Sequence, residues 1–150
     1  MNKKGFTLIE LLIVVSIIGL LSTLAVVALG SARVKARDSK RLADLKQMQT
    51  ALELYYTDQN AYPAGAGTGV ATAIGTTPYA CLNNIAAGFG PTGCTSPYMA
   101  AIPTDPKSGN YTYTYNAASS TYTLNATLEG AINGFTAGSI TLRPSGMSQP

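Results

Sequence analysis

Hydrophobic and polar positions divide this chain into three stretches with three different periods. Leu11 to Ala32 is twenty-two residues without a charge, apolar on every side. As a helix rising about 1.5 Å per residue it would extend roughly 33 Å, enough to cross a bilayer hydrocarbon core of about 30 Å. From Arg33 to Gln59 the pattern becomes one-sided. Leu42, Leu45, Met48 or Gln49, Leu52 and Tyr55 or Tyr56 recur at three- and four-residue steps, a stripe suited to covering a core. With no proline between Met1 and Asn60, the two stretches predict one helix from Phe6 to Asp58, about 80 Å long, with Gly19 and Gly30 as its weak points.

The third stretch reads as strands. Asn60-Ala-Tyr-Pro63 is a turn signal, and the Gly-, Ala- and Thr-rich residues up to Gly93 read as a long connection. Pro103 and Pro106 forbid regular ladder bonding and favour a rigid path into the first strand. Tyr111 to Tyr115 alternates strictly, and Tyr122, Leu124, Ala126 and Leu128 alternate with polar residues, so each is a strand with one buried face. Turn formers at Asn116 to Ser120 make the pair an antiparallel hairpin, and Gly138 to Leu142 supplies a third strand. Such a sheet needs a cover, and the Leu42–Tyr56 stripe is the long apolar surface that fits. The expectation is an α+β head: a long amino-terminal helix packed on a small three- to four-stranded antiparallel sheet. Its segments are 1–5, 6–32, 33–59 and 60–150, the last divided into a loop at 60–110, a sheet at 111–142 and a tail at 143–150. Tyr111, Tyr113 and Tyr115 are read as core on the face that meets the helix, with an aromatic binding platform as the alternative.

Composition narrows the chemistry. Histidine is absent and cysteine occurs twice, which excludes histidine-dependent catalysis, histidine metal sites and a four-cysteine zinc site. No Gly-rich loop followed by Lys and Ser or Thr occurs, so the chain offers no nucleotide-binding loop. No enzyme activity, catalytic residue, metal or cofactor is expected. The net charge of +3 does not argue for nucleic acid. Cys81 and Cys94 allow one intramolecular pairing, and a disulfide there is expected over free thiols. With twelve residues between them, it would stabilise by roughly 3 kcal/mol on chain-entropy grounds.

Residues 4 to 10, Lys-Gly-Phe-Thr-Leu-Ile-Glu, stand directly before the uncharged run. A short basic leader, a Gly-Phe step and a carboxylate five residues into an apolar helix together resemble the class III leader of type IV prepilins and pilin-like proteins. The resemblance covers residues 3 to about 58 by layout, with the specific motif confined to 4–10. It implies cleavage between Gly5 and Phe6 by a prepilin peptidase, N-methylation of Phe6, storage in the cytoplasmic membrane, and polymerisation into an extracellular filament at the cell surface. The implied partners are copies of the same chain, that peptidase, a platform membrane protein and an assembly ATPase. A Pro-x-Asp-Pro element like Pro103 to Pro106 precedes the first strand in many such heads. Two features depart from the pattern: many pilins have proline where this chain has Val27, and major secretion pseudopilins carry an Asp-bearing calcium loop, whereas no Asp follows Asp105. A pilus subunit is therefore preferred to a pseudopilin of a type II secretion or DNA-uptake system. A membrane-anchored binding domain is the more distant alternative. A secretory signal has an apolar region of about 7–15 residues, shorter than this one, although Ala28, Gly30 and Ala32 imitate its cleavage site.

Glu10 is the costly residue. An ionised carboxylate in hydrocarbon costs about 2.5–3.5 kcal/mol on insertion scales, so it needs a partner. Removal of the leader would create one, the Phe6 amine, on the same chain or on a neighbour; the resemblance favours the neighbour. The alternative places Glu10 at the membrane interface, where the helix dipole favours an anion.

Six basic residues, Arg33, Lys35, Arg37, Lys40, Arg41 and Lys46, come after the span, against Lys3 and Lys4 before it. By charge alone this would place the carboxy-terminal part in the cytoplasm. The resemblance implies the reverse, and the two cysteines fit an oxidising compartment better. Helical spacing predicts the pairs Asp38–Arg41 and Lys40–Asp44, the remaining basic residues meeting lipid head groups or acidic groups of adjacent subunits. A nucleic-acid site on one subunit is not expected, though a weak basic stripe repeated along a polymer would gain avidity. Asn110-Tyr-Thr112 and Asn125-Ala-Thr127 match the glycosylation acceptor pattern, which is common by chance and carries no weight here.

Overall fold

The computed structural model describes residues 5–107 and 109–149. The expected leader therefore lies, Gly5 apart, outside the described residues. One helix, α1, runs unbroken over Leu8–Gln59. It crosses two compact units, Met1–Val34 and Lys35–Pro150.

In the first unit the large apolar side chains are exposed, from Phe6 at 87% through Val14 at 48%. Mean hydropathy reaches 2.8 over an 18-residue window, so the segment is long and apolar enough to cross a membrane. The hydroxyls of Thr23 and Ser31 donate to the carbonyls of Leu20 and Ala28, three residues earlier, so neither needs water.

In the second unit the helix turns one face inward. Leu42, Leu45, Met48, Ala51, Leu52 and Tyr55 are buried. Met48 rather than Gln49, and Tyr55 rather than Tyr56, hold the core positions that spacing left open. Asn60 ends the helix in the left-handed conformation (φ 54°), its N–H still donating to Tyr56.

That face meets an antiparallel sheet of five strands, β1 (Thr72–Ile74), β5 (Tyr111–Asn116), β6 (Thr121–Leu128), β7 (Gly138–Arg143) and β8 (Gly146–Ser148), in that spatial order. Three of these are the strands predicted, and register sets Tyr113 against Leu124 and Leu124 against Leu142. The class is the α+β architecture expected, widened by a short strand at each edge. β1 lies in the stretch read as a connection and β8 in the stretch read as a tail. A second sheet, β3-β2-β4, is built from β2 (Cys81–Asn83), β3 (Phe89–Gly90) and β4 (Pro97–Met99). A Cys81–Cys94 disulfide ties this region together. Gly88, at φ +73°, faces Pro63 so closely that a Cβ would lie 2.4 Å from the proline's own. Only glycine fits both the space and the backbone there.

The core is rich in tyrosine, and each buried hydroxyl has a destination. Tyr111 donates to Asp44 at 2.7 Å, Tyr113 to the Pro63 carbonyl at 2.6 Å, and Tyr122 to Glu53 at 3.2 Å. The rings also touch: Phe89 packs edge-on against Tyr113 at 4.9 Å, and Tyr62 against Tyr122 at 4.7 Å. Tyr111 and Tyr113 are therefore core rather than a binding platform, as is Tyr122, whereas Tyr115 is half-buried against the edge of that core. Burial pushes the hydroxyls of Tyr111, Tyr113 and Tyr122 well above the usual phenol range.

Charge closes around Arg41, which is 3% exposed. Its Nε and Nη2 donate to the two Asp105 oxygens at 2.6 and 2.8 Å, and its Nη1 reaches Asp38 at 2.6 Å and Glu129 at 2.8 Å. Glu129 also accepts from Arg37 Nε and Nη2, both at 2.7 Å, and from Lys107 at 3.2 Å. Asp38 accepts in addition the backbone N–H groups of Glu129 and Gly130 at 3.0 and 2.8 Å. Helix residues 37–41 are thereby bonded to the loop before β5 and the end of β6. Of the two helical pairs expected, Asp38–Arg41 forms, whereas Asp44 serves Tyr111 instead of Lys40. Arg37, one of the basic residues expected to meet lipid or neighbouring subunits, is held instead by Glu129 of its own head, and Arg41 reaches Asp105 and Glu129 in addition to Asp38.

Removing one member of such a network leaves its partners charged and unpaired. Arg41→Ala is expected to lower stability by about 3–5 kcal/mol at neutral pH, measured by urea unfolding. Arg37, then Arg41, hold the Glu129 carboxyl well below the usual carboxylate range. A carboxyl so depressed contributes stability that is present above its unfolded value of about 4.3 and lost as pH falls further. Glu129→Gln is expected to be less stable than the parent chain at neutral pH, with the gap narrowing steadily on acidification below about pH 4.3; a gap independent of pH would contradict this account.

Candidate assembly site

Helix α1 begins at a reciprocal cap. Thr7 precedes the first helical residue, and its backbone N–H and hydroxyl both donate to Glu10 Oε2, at 2.8 and 2.6 Å. In return the Thr7 hydroxyl oxygen accepts the Glu10 backbone N–H at 3.3 Å. This is a Thr-x-x-Glu capping box, which satisfies donors the helix start would otherwise leave open. The carboxylate also lies where the helix dipole favours negative charge. The Thr-x-x-Glu pattern is readable in the sequence at Thr7 and Glu10, and it gives Glu10 a partner within its own helix start.

The predicted site residues fall into two groups. Gly5, Phe6 and Glu10 lie within the first helical turn and the residues leading into it, all exposed. Cys81 and Cys94 are paired in the head and take no part in this site. The Phe6 nitrogen is bound in the Gly5–Phe6 peptide, so it offers Glu10 no amine, and Thr7 satisfies the carboxylate. The surrounding surface is apolar on all sides from Leu8 to Leu29, with large side chains between 48% and 82% exposed. The helix continues through Val27, where the resemblance left local unwinding open.

Two family models match the chain. The prokaryotic N-terminal methylation motif covers residues 1–30, and the type II secretion system protein G family covers residues 28–134. Among curated relatives, the type II secretion system core protein G of Escherichia coli is 30% identical over 110 residues, 73% of this chain and 70% of the relative. The core protein G of Pectobacterium carotovorum is 37% identical over 63 residues, 42% of this chain and 40% of the relative. The type IV wide pilus major component PilA4 of Thermus thermophilus is 38% identical over 77 residues, 51% of this chain and 59% of the relative. The chain spans about two fifths of the length of the Pectobacterium carotovorum relative and of the core protein G of Aeromonas hydrophila. No solved structure is significantly similar.

Loss of an amino-terminal cap costs a helix about 0.5–2 kcal/mol. Thr7→Val, which keeps the shape and removes the hydroxyl, is expected to speed amide exchange at residues 8–11 by about tenfold in micelles while leaving residues 40–55 unchanged. Equal protection in both proteins would show that the box does not hold the helix start.

Proposed function

The chain belongs to the pilin and pseudopilin family described by the type II secretion protein G model, and we propose that it is the structural subunit of a type IV pilus. The observation that carries this reading is the apolar surface of residues 6–29, exposed throughout and interrupted by a single carboxylate at Glu10. A surface of that extent needs either lipid or copies of itself. Before assembly the helix is held in the cytoplasmic membrane; afterwards it lies in the core of an extracellular filament.

A peptidase cleaves after Gly5 and the new Phe6 amine is methylated. Glu10, capped by Thr7 in the unprocessed chain, then gains a cation. In the polymer the Glu10 carboxylate pairs with the Phe6 amine of a neighbouring subunit, an association that does not close on itself. A subunit out of register would leave both ions unpaired among apolar helices, at several kcal/mol per ion. The chain carries no nucleotide-binding loop, so extraction from the membrane is driven by a separate ATPase acting with a platform protein. The protein itself is not an enzyme.

A second reading, a pseudopilus subunit of a type II secretion system, is supported by the relatives named core protein G. The absence of Asp after Asp105, and the similarity to a pilus major component, support the pilus.

Glu10→Gln and Glu10→Ala are expected to insert in the membrane and to be cleaved normally, yet to yield few or no filaments by electron microscopy of the cell surface. Filaments of ordinary number and length from either variant would overturn the pairing.

A further inference from the structure

The sheet has a second face. Tyr111, Tyr113, Leu124 and Ala126 are buried towards the helix, so the residues alternating with them lie on the opposite side. Register places Thr112, Asn125 and Thr141 in one row across β5, β6 and β7, and Thr127 beside Ser139 in the next. A cavity of about 520 Å³ opens here, lined by Asn110, Thr112, Asn125, Thr127 and Ser139. That is within the range of about 300–1,000 Å³ typical of small-molecule sites.

The chemistry of the lining is specific. The charged groups that share the lining, Arg41, Asp105, Lys107 and Glu129, are already matched: Arg41 with Asp105 and Asp38, and Lys107 with Glu129. β6 is paired along both edges, so recognition falls to side chains. Two amides are oriented by their neighbours. Asn125 Oδ1 accepts from the Thr141 hydroxyl at 2.8 Å, which presents its Nδ2 as a donor; Asn110 Nδ2 donates to Thr76 at 3.1 Å, which leaves its Oδ1 as an acceptor. Thr112, Thr127 and Ser139 add hydroxyls that donate or accept. A charged ligand would have to compete with formed ion pairs, and an apolar one would strand the amides. A polyhydroxylated neutral molecule satisfies both, because each of its hydroxyls donates and accepts.

We propose that this cavity binds a neutral saccharide, with the Asn125 amide donating to its hydroxyls and the Asn110 carbonyl accepting from them. The site is independent of filament formation and is tested on the unassembled full chain. In dodecylphosphocholine micelles, which contain no sugar to compete, the chain is titrated with maltose, cellobiose and N,N′-diacetylchitobiose while backbone amide shifts are monitored by NMR. At least one probe is expected to give saturable shifts confined to residues 110–112, 125–127 and 139–141. The double variant Thr127→Val, Ser139→Ala, both at exposed positions, is expected to weaken that binding about tenfold, the loss of one or two hydrogen bonds. No saturable shift with any of the three probes at tens of millimolar overturns the proposal, and so does binding that the double variant leaves unchanged. The parent titration decides the first point whether or not the variant folds.

Discussion

One apolar face of α1 and one face of the sheet cover each other, and the head depends on that contact. Neither is stable alone: a few short strands cannot bury their own apolar side, and residues 35–59 as an isolated helix would expose Leu45, Met48, Leu52 and Tyr55. Burying a large apolar side chain contributes roughly 1.5–3 kcal/mol, and the buried tyrosines add hydrogen bonds from inside the core. Arg41 then fixes where the helix sits. Its guanidinium reaches Asp38 on its own helix, Asp105 before β5 and Glu129 after β6, so a helix slid by one turn would keep the Asp38 pair and lose both contacts to the head at once.

The same helix serves two solvents. Through its first unit it is apolar on every side and satisfies Thr23 and Ser31 from its own backbone; through its second it keeps one apolar stripe and turns its acids to the head. Asp38, Asp44, Glu53 and Asp58 each accept from a residue of the head. Glu10 stands apart from these. It is the carboxylate in the apolar stretch, and before processing it has a helix start to cap. Under the proposed function, cleavage after Gly5 would change what surrounds it by placing an amine four residues away, so one bond cut would both free the chain and supply the charge that assembly needs.

The long elements were legible because period and length reinforce one another. A 52-residue helix and strands of six to eight residues leave many matching positions. β1, β3 and β8 offer two or three residues each, too few for any period, and their glycines conceal the turns between them. Side-chain partners were legible only when local. Asp38–Arg41 is implied by helical spacing, but Asp44 bonding to Tyr111, sixty-seven residues away, is not. Nor is the fate of Arg37, which pairing with Glu129 removes from the basic surface. At the candidate assembly site the residues read from the sequence, Gly5, Phe6 and Glu10, lie at the helix start, and the Thr7 cap of Glu10 was missed, although Thr-x-x-Glu before an apolar run is itself a signal.

The central claim is that processing creates the cation Glu10 lacks. The most direct measurement is fragmentation mass spectrometry of the mature amino terminus, on protein purified from the membranes and surface filaments of its own cells. The account predicts a chain that begins at an N-methylated Phe6. A retained Met1, or a terminus produced by a cut near Ala32, would contradict it.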